Sequence, residues 1–306
     1  MNIREIPFVD AHVHLWDLKR IHYPWLTPPF DDCGPNGSVE PIASDYLLDD
    51  YLSETAGWNV LGIVHVEAGA DPSASLHETA WLQEIADNRG LPQAIVAHAD
   101  LTRPDLQRTL EAQLAHANVR GIRHIVNWHP SPLRTYTSQD FTQDPIWWSG
   151  LGLLGKLRLS FDLQAYPNQF ASVAQQLRRY PGTQIVLNHA GMAIPDDADG
   201  WETWRSGVQA LAELPNVACK ISGMGFAQRN WNADFARPYV LETIEIFGTH
   251  RTMFASDFPT DRLFGTFEHT LGTYAEILSG FSEDEQRDLF GRNAVRIYRL
   301  PLQLMS

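Results

Sequence analysis

The chain has 306 residues, 44% of them apolar, and a formal net charge of −14. This length and core content suit a single α/β barrel, while the negative charge disfavours nucleic acid and anionic membranes as partners. Cys33 and Cys219 make no disulfide framework, and no membrane span or signal-peptide core is visible, so we expect a cytoplasmic protein.

Eight short, largely apolar segments predict β-strands in chain order. They are Phe8–His14, Val60–Val66, Ala94–Ala99, Gly121–Val126, Leu157–Leu163, Gln184–Asn188, Val217–Ile221 and Thr252–Ser256. Strands that are apolar on both faces are typical of parallel sheets covered on both sides.

Amphipathic segments between these strands predict helices. They are Ser75–Asn88, Leu106–His116, Phe170–Arg179, Trp204–Leu214, Pro238–Phe247 and Phe267–Leu278. Ser282 and Glu285 form a capping box that begins the last helix. This alternation predicts an α/β fold with a single domain, the (β/α)8 TIM barrel. A doubly wound open sheet is the alternative, but the sequence lacks the glycine-rich phosphate loop that such sheets usually carry.

Two connections are longer than ordinary turns. They cover about residues 15–45 and 127–150, and each follows the C-terminal end of a predicted strand. Barrel enzymes carry their active sites at these strand ends, where long loops are commonly functional. We therefore expect both loops to border an active site, with a plain surface insertion as the alternative.

Polar side chains lie at the end of every predicted strand. In chain order they are His12 and His14, His65 and Glu67, His98 and Asp100, Arg123 and His124, Asp162 and Gln164, Asn188 and His189, Lys220 and Ser222, and Ser256 and Asp257. Polar residues at every strand end are not expected in a packed core, but they are typical of the active site of a barrel enzyme. The pattern therefore predicts an enzyme.

Four of these residues could share one divalent ion. His12, His14, His189 and Asp257 would supply three nitrogens and one oxygen. Such an ion lowers the pKa of a bound water towards about 7. Asp257 could also accept the proton of that water as a general base.

Other strand-end residues could contact a substrate. Arg123 and Lys220 could hold a carboxylate or polarise a carbonyl, although Lys220 could equally point outward between barrel and helices. Gln164 and Glu67 could orient hydroxyl groups. Glu67 could instead be a further metal ligand or an acceptor that orders a loop.

Several ordered motifs carry a family resemblance. They are Val9–Asp17 with Tyr23–Leu26, Gly121–Arg123, Phe161–Gln164, Asn188–Gly191, Cys219–Gly223, Ser256–Pro259 and Gly291–Leu300. As a set they resemble the lactonase-like branch of the amidohydrolase superfamily. The resemblance implies a distorted barrel that hydrolyses small lactones of carbohydrate or aromatic catabolism. It also implies that His12, His14, His189 and Asp257 are site residues, with Asp257 as general base.

Two departures from the superfamily bear on the metal. Arg123 and His124 stand on the strand where binuclear members carry a bridging lysine, so we expect at most one ion. Gln164 stands where many members have a metal-binding histidine. One zinc or manganese ion and a metal-free mechanism, in which the histidines polarise the carbonyl by hydrogen bonding, therefore both stay open.

The sequence thus predicts a hydrolase that opens a small lactone, with Asp257 and His189 as catalytic residues. Predicted substrate contacts are Trp16, Trp25, Glu67, His98, Arg123, Gln164, Lys220 and Arg229. A metal-dependent decarboxylase of an aromatic acid and a ligand-binding barrel without turnover are the alternatives. The predicted partner is a small molecule, and self-association stays open.

Overall fold

A nearly closed barrel of eight parallel strands forms the centre of the computed structural model, which describes residues 3–304. The strands are β1 (Phe8–Val13), β2 (Val60–Val66), β3 (Ala94–His98), β4 (Val119–Arg123), β5 (Ser160–Leu163), β6 (Ile185–Leu187), β7 (Val217–Ile221) and β8 (Thr252–Phe254). Their order around the barrel equals their order along the chain. The barrel closes where Val13 pairs with Phe258, just beyond β8. The predicted single-domain TIM barrel is confirmed.

Most of the helices cover the outside of the barrel. They are α1 (Leu48–Glu54), α2 (Ser75–Arg89), α3 (Leu106–Leu114), α4 (Pro145–Lys156), α5 (Pro167–Leu177), α6 (Gly200–Ala212), α7 (Met224–Ala227), α8 (Ala233–Phe247), α9 (Phe267–Ile277), α10 (Glu283–Arg287) and α11 (Asn293–Tyr298). The predicted capping box is present, because Ser282 and Glu285 bond each other's backbone N–H at the start of α10. Within the described residues, no helix is both long enough and apolar enough to cross a bilayer.

Helix α4 begins within the loop predicted over about residues 127–150 and ends just before the predicted fifth strand, Leu157–Leu163, which starts only at Ser160. Three glycines within it, at 150, 152 and 155, give it a weak intrinsic helix propensity. Packing explains the helix, because a Cβ on Gly150 would lie 2.4 Å from the carbonyl oxygen of Leu101. Asp144 caps its first turn by accepting a hydrogen bond from the Ile146 N–H.

Alternate strand residues divide the core into an inner and an outer layer. Small and β-branched side chains form the inner cluster, which includes Val9, Ala11, Val64, Val66, Ala94, Val96, Val186, Ala218, Met253 and Ala255. This cluster packs against Tyr298 and Leu300, at and after the end of α11. Residues of opposite parity, such as Phe8 and Ile95, join the larger cluster with the helices. The two-residue period of Met253 and Ala255 continues to Asp257 after β8. On β1 the pairing is irregular between Asp10 and Val13, so His12 and His14 do not follow the period of Val9 and Ala11.

Candidate active site

Two imidazoles and one carboxylate form a buried cluster where β1 meets the residues after β8. Nε2 of His12 and Nε2 of His14 lie 3.4 and 3.3 Å from Oδ1 of Asp257. The Asp257 N–H donates to the His12 carbonyl over 2.9 Å, and the His14 N–H donates to the Phe258 carbonyl over 2.8 Å. Closure of the barrel therefore sets the spacing of the three side chains.

The hydrogen bonding of His14 shows that this cluster suits a cation. Nδ1 of His14 lies 2.8 Å from the Val66 carbonyl oxygen, which can only accept, so Nδ1 carries the proton. A neutral His14 then directs its Nε2 lone pair at Oδ1 of Asp257, an arrangement that is repulsive until a proton or a metal ion lies between them. Oδ2 of Asp257 has no hydrogen-bond partner among the described residues.

Three of the four predicted metal ligands lie close enough together to bind one ion. One nitrogen or oxygen atom from each of His12, His14 and Asp257 lies within 4.8 Å of the others. Imidazole nitrogens and a carboxylate oxygen are ordinary ligands of zinc and similar divalent ions. The residues present therefore fit a divalent metal. His189 lies beside this group, with its ring centroid 4.7 Å from that of His12.

His189 is held by β7 and by an unusual backbone conformation. Its Nδ1 lies 2.9 Å from Oγ of Ser222. A Cβ on the next residue, Gly223, would lie only 2.7 Å from that Nδ1, so glycine is needed for the approach. His189 and Asp257 both adopt left-handed backbone, with φ of 55° and 60°. Such conformations in non-glycine residues are strained and concentrate at functional sites.

Burial and neighbouring charges set the ionisation of this cluster. Burial lowers the pKa of His189 to about 4, with Asp257 opposing the shift and Arg123 adding to it. Burial also lowers the pKa of His12 well below its usual range, so both imidazoles are neutral at pH 7, the form that binds metals. Burial would raise the pKa of Asp257, but His189, His14 and Arg123 hold it below its ordinary value, which leaves an ionised carboxylate.

Arg123, at the end of β4, is held at the barrel mouth by hydrogen bonds to Glu67 and Gln164. Its Nε donates to Oε1 of Glu67 over 2.7 Å, and its Nη2 donates to the Glu67 carbonyl over 2.5 Å. Its Nη1 donates to Oε1 of Gln164 over 2.9 Å and lies 3.4 Å from Nε2 of His12. The guanidinium therefore links β2, β4 and the residue after β5 to the histidine cluster.

A cavity of about 220 Å³ opens onto these residues. Six predicted site residues line it, namely His14, Trp25, Arg123, Gln164, His189 and Asp257. Lining residues that the sequence analysis missed include Asn36, Ile125, Tyr136, Phe226 and Thr260. The two long loops meet over the cavity, where the Tyr136 hydroxyl donates to Oδ1 of Asn36 over 2.5 Å. Asn36 and Tyr136 lie in the two loops that the sequence analysis expected to border the active site, but no strand or helix period singled out these two residues.

Lys220 lies inside the barrel and does not line the cavity. Its Nζ donates to Oδ2 of Asp162 over 2.5 Å, and neither side chain is exposed. The Tyr298 hydroxyl of the inner cluster donates to the same carboxylate over 3.0 Å. Lys220 thus points neither outward nor at the cavity, and its charge is matched within the core.

The remaining predicted substrate contacts also lie outside the cavity lining. Trp16 is fully buried and donates from Nε1 to the Ser44 carbonyl over 2.7 Å. Glu67 is buried against Arg123. The His98 ring packs against that of His124, with centroids 6.0 Å apart. Arg229 lines a second cavity of about 390 Å³.

Similarity to known proteins covers nearly the whole chain. The sequence pattern of the Amidohydrolase family matches residues 9–300. The uncharacterized protein y4mH of Sinorhizobium fredii is 40% identical over 97% of this chain and 99% of its own length. An L-fucono-1,5-lactonase of Burkholderia multivorans is 28% identical over 96% of each chain.

A solved amidohydrolase structure is similar to this chain in fold and sequence. A Burkholderia multivorans amidohydrolase crystallised with bound zinc superposes with a TM-score of 0.80 and 25% identity, over 96% of this chain and 99% of its own. Together with the match over residues 9–300, this similarity agrees with the predicted family resemblance. The chain belongs to the amidohydrolase family.

Proposed function

We propose that this protein hydrolyses small lactones. The observation that carries the proposal is the ionised, buried carboxylate of Asp257, which faces the cavity with Oδ2 unpaired among the described residues. A carboxylate placed in this way is suited to take a proton from water. The similarity to an L-fucono-1,5-lactonase supports a lactone as the substrate.

In this mechanism Asp257 takes a proton from a water molecule as the water oxygen attacks the lactone carbonyl carbon. Negative charge develops on the carbonyl oxygen, where His189 would donate a hydrogen bond when no metal ion is bound. The tetrahedral intermediate then breaks its bond to the ring oxygen. Asp257 returns the proton to that oxygen, and a hydroxy acid leaves the site.

His12, His14 and Asp257, with His189 beside them, would hold a divalent metal ion in this site. When bound, such an ion supplies Lewis acidity and makes water more acidic. We propose zinc or manganese as its identity, since imidazole and carboxylate ligands suit both ions. Neutral His12 and His189 are available as ligands without loss of a proton.

A pH-indicator assay of the purified protein against neutral aldono-1,4- and 1,5-lactones, including L-fucono-1,5-lactone, tests the proposal. We expect acid release above the spontaneous rate for at least one six-carbon lactone, with the hydroxy acid as the product. Aromatic acids assayed in parallel for carbon dioxide test the decarboxylase alternative. Carbon dioxide release without lactone opening would overturn the proposal.

A further inference from the structure

Arg123 is the only arginine or lysine among the described residues that line the cavity. Its positive charge is already matched by Glu67, whose Oε1 lies 2.7 Å from Nε of Arg123. Both side chains are at most 5% exposed. The one cationic side chain of the described cavity lining is therefore neutralised by a carboxylate that lies outside the lining.

The donors of Arg123 are also almost fully used. A guanidinium has five N–H groups, and it grips a carboxylate best through two parallel ones. Nε and one Nη2 hydrogen are directed at Glu67, one Nη1 hydrogen is directed at Gln164, and Nη1 also lies 3.4 Å from Nε2 of His12. No parallel pair is left for a substrate carboxylate.

Glu67 is fixed in this position. Its Oε2 accepts a hydrogen bond from the Gly69 N–H over 2.9 Å, so both carboxylate oxygens are bound. Burial would raise the pKa of Glu67, but Arg123 and the Gly69 N–H hold it below its ordinary value. An anionic substrate group that entered beside Arg123 would therefore meet this negative charge.

We propose that Glu67 is a specificity-determining residue that makes the enzyme select uncharged lactones over lactones that carry a carboxylate. The inference rests on the proposed lactone hydrolysis. A carboxylate arm would lose its hydration in the cavity, find no unpaired cationic side chain in the described lining and be repelled by Glu67. An uncharged ring would instead pack its C–H faces on Trp25, Ile125 and Phe226.

A matched pair of substrates tests this selection. D-Galactono-1,4-lactone and galactaro-1,4-lactone differ only in a terminal CH₂OH or carboxylate. We expect kcat/KM of the wild-type protein to be at least about tenfold higher for the uncharged lactone, because like charges placed together are strongly unfavourable. Equal values, or a preference for the charged lactone, would overturn the proposal.

Glu67→Gln tests the residue itself, because it removes the charge and keeps an acceptor for Nε of Arg123, at the cost of the hydrogen bond from the Gly69 N–H. We expect the ratio of the two kcat/KM values to move by about tenfold towards the carboxylate-bearing lactone. Glu78→Gln is the control, since Glu78 is a neighbouring buried carboxyl that bonds the Ala68 N–H and leaves Arg123 untouched. An unchanged ratio in folded Glu67→Gln would overturn the proposal.

Two further outcomes are also decisive. If Glu67→Gln does not fold, the wild-type ratio decides. If the wild-type protein opens neither lactone, the proposed function fails, and calorimetric binding of the two intact lactones decides the inference separately. Tighter binding of the uncharged lactone would support selection by charge, and equal or tighter binding of the charged one would overturn it.

Discussion

The two sides of the barrel mouth differ in how completely their ionisable side chains are paired. On the β1–β8 side, Oδ2 of Asp257 and Nδ1 of His12 have no hydrogen-bond partner among the described residues. On the β4–β7 side, Arg123 is bound by Glu67 and Gln164, and Lys220 by Asp162. Buried polar groups are normally paired. The unpaired side is therefore where a substrate, water or metal completes the bonding, and the paired side gives the site its shape and charge.

Replacement of Asp257 should separate the two sides most clearly. We expect Asp257→Asn to lower kcat/KM for the best lactone by about 10²- to 10⁴-fold, the usual contribution of a general base. The thermal midpoint of this variant should not fall, because the substitution removes a buried negative charge, and Oδ2 of Asp257 has no hydrogen-bond partner among the described residues. Asp100→Asn is the matched control, since Asp100 follows β3 and bonds Thr102 away from the cavity. Near-normal turnover of Asp257→Asn would break the comparison.

Replacement of Lys220 should instead affect stability. We expect Lys220→Met to lower the free energy of unfolding by about 3–5 kcal/mol, because Asp162 would be left as an uncompensated buried charge. The double variant Lys220→Met/Asp162→Asn should recover most of the loss, since the amide can still accept from Tyr298. Urea denaturation measures both values. A fully stable single variant would show that the pair does not act as a unit.

Glu78, in α2, should make the stability of the protein depend on pH. Burial and then the charge of Glu67 raise the pKa of Glu78 to about 8 from its ordinary 4.5. The folded protein therefore binds an extra proton between these values, and it loses stability as pH rises through this range. Between pH 5 and pH 8, the free energy of unfolding of Glu78→Gln should therefore rise by about 3 kcal/mol relative to that of the wild type. Urea denaturation at a series of pH values measures this difference. If the free energies of unfolding of the wild type and Glu78→Gln change with pH in the same way, the raised pKa of Glu78 is contradicted.

Metal binding should depend on the unpaired side alone. We expect His14→Ala to weaken zinc binding by at least about tenfold, a loss that even outer ligand-supporting residues can cause. His98→Ala is the control, because His98 also ends a strand but lies outside the His12–His14–Asp257 group. Calorimetric titration of the chelator-treated proteins with zinc measures both affinities. Equal weakening in the two variants would show that the effect is not specific to this group.

The barrel and its strands were predictable because an apolar run of five or so residues has few alternatives when it alternates with amphipathic helices. Helix α4 was not, since its glycines and its Trp147–Trp148 pair carry no helical period. It forms because Gly150 lets the helix approach the Leu101 backbone. Tertiary contacts of this kind override propensity and leave no local signal in the sequence.

The candidate site also contains parts that the sequence predicted and parts that it left open. His12, His14 and Asp257 were grouped from the sequence because the C-terminal ends of parallel strands meet at one end of a barrel. The direction of Lys220 stayed open, because its partner Asp162 is two strands away and no local pattern links them. The role of Glu67 stayed open for the same reason, since its contact with Arg123 joins β2 to β4.

Hydrolysis in water enriched in ¹⁸O tests the proposed chemistry most directly. The wild-type protein would open the best lactone in labelled water, and mass spectrometry would locate the label in the product. Attack of water on the carbonyl carbon predicts one ¹⁸O atom in the new carboxylate and none in the released hydroxyl. Label in the hydroxyl, or no enzyme-dependent product, would contradict a site in which Asp257 activates water towards a lactone carbonyl.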